Sequence, residues 1–78
     1  MIKELNTIVL SRDLPEYGLK QGDIGAVVHC YKGRKSFEVE FITGQGDTVA
    51  VVTLNSEDVR LMQDKEILHV RKLHVHAA

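Results

Sequence analysis

Four side chains near the middle of the chain have the types and spacing to hold a polyanion. Tyr31, Lys32, Arg34 and Lys35 surround Gly33 in the run "YKGRK". Three cations can contact phosphates, and an aromatic ring can stack on a base. The same residues are ordinary at the tip of a β-hairpin, where charged ends are solvated. Glu38 and Glu40 follow closely and lower the local positive potential. The chain as a whole carries a formal charge of −1, whereas a domain that binds chiefly through phosphates is basic. The balance favours a solvated tip, with nucleic-acid binding as the lesser alternative.

The other reactive side chains also have ordinary readings. Tyr17 sits between Glu16 and Gly18 in "RDLPEYGLKQGD". It is either an aromatic anchor for a partner chain or a ring that packs on the domain and bonds a nearby backbone group through its hydroxyl. His69, His74 and His76, with Asp64 or Glu66, are the nearest approach to a metal set. They lack Cys-(x)2-Cys or His-Glu-(x)2-His spacing, so no metal is expected. His29 and Cys30 are adjacent and would face opposite sides of a strand. Cys30 would share its face with Ile24, Ala26 and Val28, which predicts a buried, inert thiol. Glu38 and Glu40 would lie about 7 Å apart on one strand face, a spacing two catalytic acids can use but one usual for solvated residues. No nucleophile elbow or phosphate-cradling glycine loop occurs. The expectation is a protein that is not an enzyme, with no catalytic residues and no cofactor.

The elements that position these residues must come from a small core. At 78 residues the chain is one domain, and one this short buries only about 60–65% of its unfolded surface. With 44% hydrophobic residues it is too apolar to be disordered. Its single cysteine excludes an internal disulfide and fits a reducing cytoplasm. A homodimer would bury more apolar surface for such an unstapled core. No apolar run approaches the roughly 18 residues of a membrane span. The start "MIKELNTIVL" lacks the apolar core of a secretory signal. A cytoplasmic domain over residues 1–73 is expected, with a frayed tail at 74–78.

Six glycines and one proline cut the chain into short, β-branched, alternating pieces, which read as strands. "LNTIVL" (5–10) is the first, with Leu5, Thr7 and Val9 on one face. A long polar loop, 11–21, follows, with Leu14 and Leu19 tucked inward and bends at Pro15 and Gly18. The second strand covers 23–31 and the third 36–43. In the third, Phe37, Val39 and Phe41 alternate with Glu38 and Glu40, the pattern of one face in the core and one in water. "GQG" (44–46) is a tight turn. "DTVAVVTL" (47–54) is apolar on both faces, which predicts a central or doubly covered strand. "NSED" (55–58) has the chemistry of a short helical turn, and "VRLM" resumes an extended path. Residues 64–73 fit either a helix or a last strand, with a strand favoured. The expected fold class is all-β: a small SH3-like barrel of five to six short antiparallel strands, with a short helical turn near 55–58.

The stretches "TIVLSRDLPEYGLKQGDIGAVV", "FEVEF", "TVAVVTL" and "ILHVRKL" carry a resemblance over roughly residues 5–73. The chain resembles a family of small prokaryotic domains of unknown function with the pattern Leu-Pro-(x)-Tyr-Gly-Leu-(x)2-Gly-Asp-(x)-Gly-(x)-Val-Val and then Tyr/Phe-Glu-Val-Glu-Phe. More distantly, Gly22, Asp23, Gly25 and Val27 look like the start of the KOW-type element of ribosomal proteins and transcription elongation factors. Physically these are folding positions. Asp23 can bond the turn's backbone, and Gly25 omits a side chain where another strand passes closely. The family resemblance implies a small stand-alone protein, in some members beside toxin–antitoxin-like or mobile genes. Together with the lack of a catalytic set, it points to a protein-interaction module. Its expected contact residues are Tyr17, Tyr31, Lys32, Arg34 and Lys35. The alternative is a nucleic-acid-binding module that uses the tip alone.

Overall fold

Alternating β-branched residues between turn-forming ones emerge as five strands. A computed structural model of the chain describes residues 2–33 and 35–73. The strands are β1 (Thr7–Leu10), β2 (Ile24–Cys30), β3 (Ser36–Ile42), β4 (Thr48–Asn55) and β5 (Val59–Leu61). All pairings are antiparallel, in one sheet of order β4-β3-β2-β1-β5. That order forces curvature. A flat sheet would hold β4 and β5 about 19 Å apart, at ~4.8 Å per strand spacing. The connection from Asn55 to Val59 spans at most about 14 Å. The sheet therefore coils until its last strand reaches its first, and the result is a small all-β, barrel-like fold.

Asp58 fastens this closure. Its backbone N–H donates to Asn55 O (2.9 Å), forming a single turn at residues 55–58. Its carboxylate accepts from Asn55 N (2.9 Å) and from Arg12 Nε (2.7 Å). Its carbonyl accepts from Ser11 N (2.8 Å), beyond the end of β1. Burial opposes ionisation of Asp58, but the bonds from Arg12 and Asn55 outweigh it and hold its pKa below the ordinary value. The one helical segment among the described residues is a 3₁₀ turn, Pro15–Tyr17, inside the long loop. Proline begins it, and Gly18 ends it at φ 71°, a left-handed conformation that glycine adopts without strain.

The core forms where alternation is cleanest. Phe37, Val39 and Phe41 are buried together with Ile8, Leu10, Val27, Val52 and Leu54, and Leu14 and Leu19 close over them from the loop. Gly25 lies beneath β3, where its missing side chain leaves room for Val39 and Phe41, the close approach its type predicts.

Four expectations are corrected. Leu5 does not extend β1; it sits at φ 72° and is 87% exposed. In β2 the buried positions are Gly25 and Val27, while Ala26 and Val28 face solvent. The pairing runs Val27↔Val39 and then His29↔Glu38, leaving Val28 as an extra residue. Such a bulge reverses the phase of the pleat, so Cys30 returns toward the core opposite Phe37 and ends half-buried. The strand β4 is not central but forms one edge of the sheet, with Val51 51% exposed. Residues 64–73 form neither strand nor helix; they run as an irregular segment after β5. Among the described residues no helix is long and apolar enough to cross a membrane.

Candidate functional site

The hairpin tip is engaged with its own sheet. The Tyr31 hydroxyl donates to Glu38 Oε2 (2.9 Å), and Thr53 Oγ1 donates to Glu38 Oε1 (2.6 Å). These two bonds hold the Glu38 pKa below its ordinary value against a small burial penalty, and the bond to Glu38 raises that of Tyr31. The Tyr31 ring also meets His29 edge-on, with centroids 4.8 Å apart. Tyr31 thus lies over the outer face of the sheet beside an acid. Lys32 and Lys35 are exposed, and the Lys35 carbonyl accepts from Ser56 N (3.1 Å). Arg34 lies outside the described residues. Glu40 is occupied in the same way as Glu38, by Thr48 Oγ1 (2.8 Å).

Tyr17 is nowhere near this tip. It follows Pro15 in the 3₁₀ turn, exposed, with Gly18 tied to the start of β2, whereas Tyr31 follows the end of β2. Seven strand residues separate those ends, about 20 Å by strand rise. The two tyrosines therefore stand near opposite ends of β2. Among the described residues no group of three His, Cys, Asp or Glu side chains is placed to hold a metal ion; His74 and His76 lie outside those residues.

A concave surface lies at the Tyr17 end instead. A cleft of about 350 Å³ opens between Leu19, Ile24, Phe41, Ile42 and Val49 on one side and His69–Arg71 with Leu73 on the other. The second wall is the irregular segment after β5, and two arginines staple it down. At its start, Arg60 Nη1 and Nη2 grip both oxygens of Glu66 (2.7 and 2.6 Å), and Gln63 N donates to Glu66 Oε1 (2.7 Å). At its end, Arg71 Nε donates to Asp23 Oδ1 (2.8 Å), Nη2 donates to Asp23 Oδ2, and Nη2 also reaches Gly18 O (2.9 Å). Such two-pronged pairs are the strong form of the arginine–carboxylate contact. Asp23 further accepts from Lys20 N (2.8 Å), the turn-bonding role expected of it. Burial opposes its ionisation, but Arg71 and the Lys20 amide outweigh that and keep its pKa below the ordinary value.

Between the staples the strap is exposed. Ile67 and Val70 are each 90% exposed, and Leu68 is 65% exposed. No motif in the sequence marks these residues as a site. Their apolar character reads as core, and Arg71 and Asp23 are 48 residues apart, with no local signal to link them.

A segment pinned at both ends, with three of its four free residues apolar, thus follows the five-stranded sheet. The chain belongs to a family of domains of unknown function, DUF4926. The family model matches residues 4–61, which end with β5, so the strap follows the matched segment. No curated protein and no solved structure matches the chain, and the likeness to KOW-type elements gains no support from them.

The staples of this DUF4926 domain make a pH prediction. Glu66 is held down to about 2 by Arg60 first and the Gln63 amide second, and Asp23 is also lowered. Both carboxylates bind protons less tightly folded than unfolded. Their contribution is therefore complete above the ordinary carboxylate range and is lost as pH falls through the folded values. In an NMR titration the amides of Gln63 and Lys20 should report midpoints below about 4, with that of Gln63 near 2. Midpoints at ordinary carboxylate values would show that the strap is not stapled.

Proposed function

We propose that this domain is a non-enzymatic protein-interaction module, acting in the cytoplasm, that docks a partner protein on the strap Ile67–Val70 and the apolar cleft beside it. The exposure of Ile67, Leu68 and Val70 between two fixed ends carries the reading. Contiguous apolar surface of this kind marks a contact site when it exceeds scattered single residues. A segment held at both ends has already lost part of the freedom that binding would remove. It can lie along the sheet edge of a partner, with alternate side chains filling pockets. Tyr17 stands on the loop beside the same staple and extends the surface. A protein encoded beside this chain, as in the two-gene systems that the family resemblance implies, is the first partner to test.

Replacing Ile67 and Val70 with aspartate tests the reading. Neither side chain is packed, so the melting temperature should hold. The partner co-purified by the tagged wild type should be lost, since buried apolar anchors are worth about 2 kcal/mol or more each. Retention of the same partner by the double variant, or turnover of a substrate by the purified protein, would reject it.

The basic tip is the rival. Its tyrosine hydroxyl donates to Glu38, so a carboxylate stands where a polyanion would approach, which counts against it. Titration with RNA and DNA at two salt concentrations decides it: binding that weakens with salt and with loss of Lys32, Arg34 and Lys35 would favour the tip.

A further inference from the structure

The edge of β4 offers a second contact surface, independent of the strap. Along an antiparallel pair, residues alternate between pointing both backbone polar groups at the neighbour and pointing both away. Two observations set the phase here. Tyr31 N donates to Ser36 O, so Ser36 turns its backbone toward β2, and with it Glu38 and Glu40. Asn55, opposite Ser36, sends its N–H to the Asp58 carboxylate and receives Asp58 N at its carbonyl, both away from β3. Thr53 and Val51, opposite Glu38 and Glu40, therefore direct their N–H and C=O groups to the open side of the sheet. Among the described residues no strand pairs there.

We infer that the occupant of this edge is a second copy of the chain, paired antiparallel about a two-fold axis at Val52. In that register Val51 of each copy meets Thr53 of the other, and every outward-facing group of these two residues finds a partner. The free stretch is bounded by the register shift near Ile42↔Thr48 on one side and by the Asn55 turn on the other. It is thus just long enough for this self-pairing. The strand contains no charged residue and no proline from Thr48 to Asn55, the devices that usually blunt an edge. A two-fold brings identical positions together, so an uncharged strand avoids the like-charge contact that would forbid it. Thr53 also has its hydroxyl committed to Glu38, leaving its methyl to meet Val51 of the partner. The edge is self-complementary in backbone register, charge and side-chain size.

Sedimentation of the full chain from micromolar to millimolar concentration tests this. The wild type should reach twice the monomer mass of 8.8 kDa. Val51→Pro removes an outward N–H at a position where an edge strand tolerates proline, and Val51→Lys sets two cations near the axis. Both should halve the mass without changing the far-ultraviolet circular dichroism. Amide exchange of wild-type Val51 and Thr53 should slow as concentration rises, a readout that stands even if a variant fails to fold. A wild type that stays monomeric, folded variants that still dimerise, or fast exchange of these two amides in the dimer would overturn the inference. Loss of the dimer with the Ile67 and Val70 aspartates instead would assign self-association to the strap.

Discussion

Gly25→Ala is expected to lower the melting temperature by about 10 °C. A Cβ at position 25 would stand 2.6 Å from Val39 Cγ1, 2.9 Å from Phe41 Cε1 and 3.1 Å from Glu40 O. Val39 and Phe41 are buried and cannot swing aside. Forcing one methyl group into such a core costs about 1–3 kcal/mol. In a domain of this size each kcal/mol moves the midpoint by roughly 4–8 °C. Thermal melts of the single variants and of Gly25→Ala with Val39→Ala complete the check. Shortening Val39 alone should destabilise by leaving a void, yet it should recover part of the loss when Gly25→Ala is present, because the two sites share one space. An unchanged melt for Gly25→Ala would mean that β2 and β3 pass less closely than described.

Arg71→Ala should cost about 2 kcal/mol at neutral pH, because it leaves the part-buried Asp23 carboxylate without its main partner. It should also free the strap, so the amides from Ile67 to Leu73 exchange faster. Arg71→Lys should fall between, since an ammonium cannot span both carboxylate oxygens and Gly18 O as the fork does. The difference from wild type should shrink as pH falls through the lowered Asp23 value, because protonation removes the charge that Arg71 serves. A variant that melts like the wild type at neutral pH would place the staple outside the stability of the fold.

The legible parts of the chain were those governed by near neighbours. Phe37, Val39 and Phe41 alternate with two glutamates and are buried as their period requires. Leu14, Leu19, Asp23 and Gly25 each carry a local signature, and each has the role its type suggested. The misread parts depended on something distant or on a single irregular residue. One extra residue at Val28 put Cys30 on the opposite side from Ala26, so the shared face expected of them did not form. A doubly apolar β4 looked central because composition cannot report how many neighbours a strand has. Residues 64–73 looked regular, but two arginine–carboxylate pairs hold them in an irregular path instead of a ladder.

The sequence by itself determined the all-β class of fold, because strand period and turn chemistry are written in consecutive residues, and its likeness to a family of domains of unknown function is borne out over residues 4–61. Only the tertiary structure decided which surfaces are available. Strand order left β4 at an edge, and the path of the chain after β5 brought Arg71 to Asp23, 48 residues away. Strand order and long-range pairing are set by how the whole sheet assembles, which no stretch of sequence expresses alone.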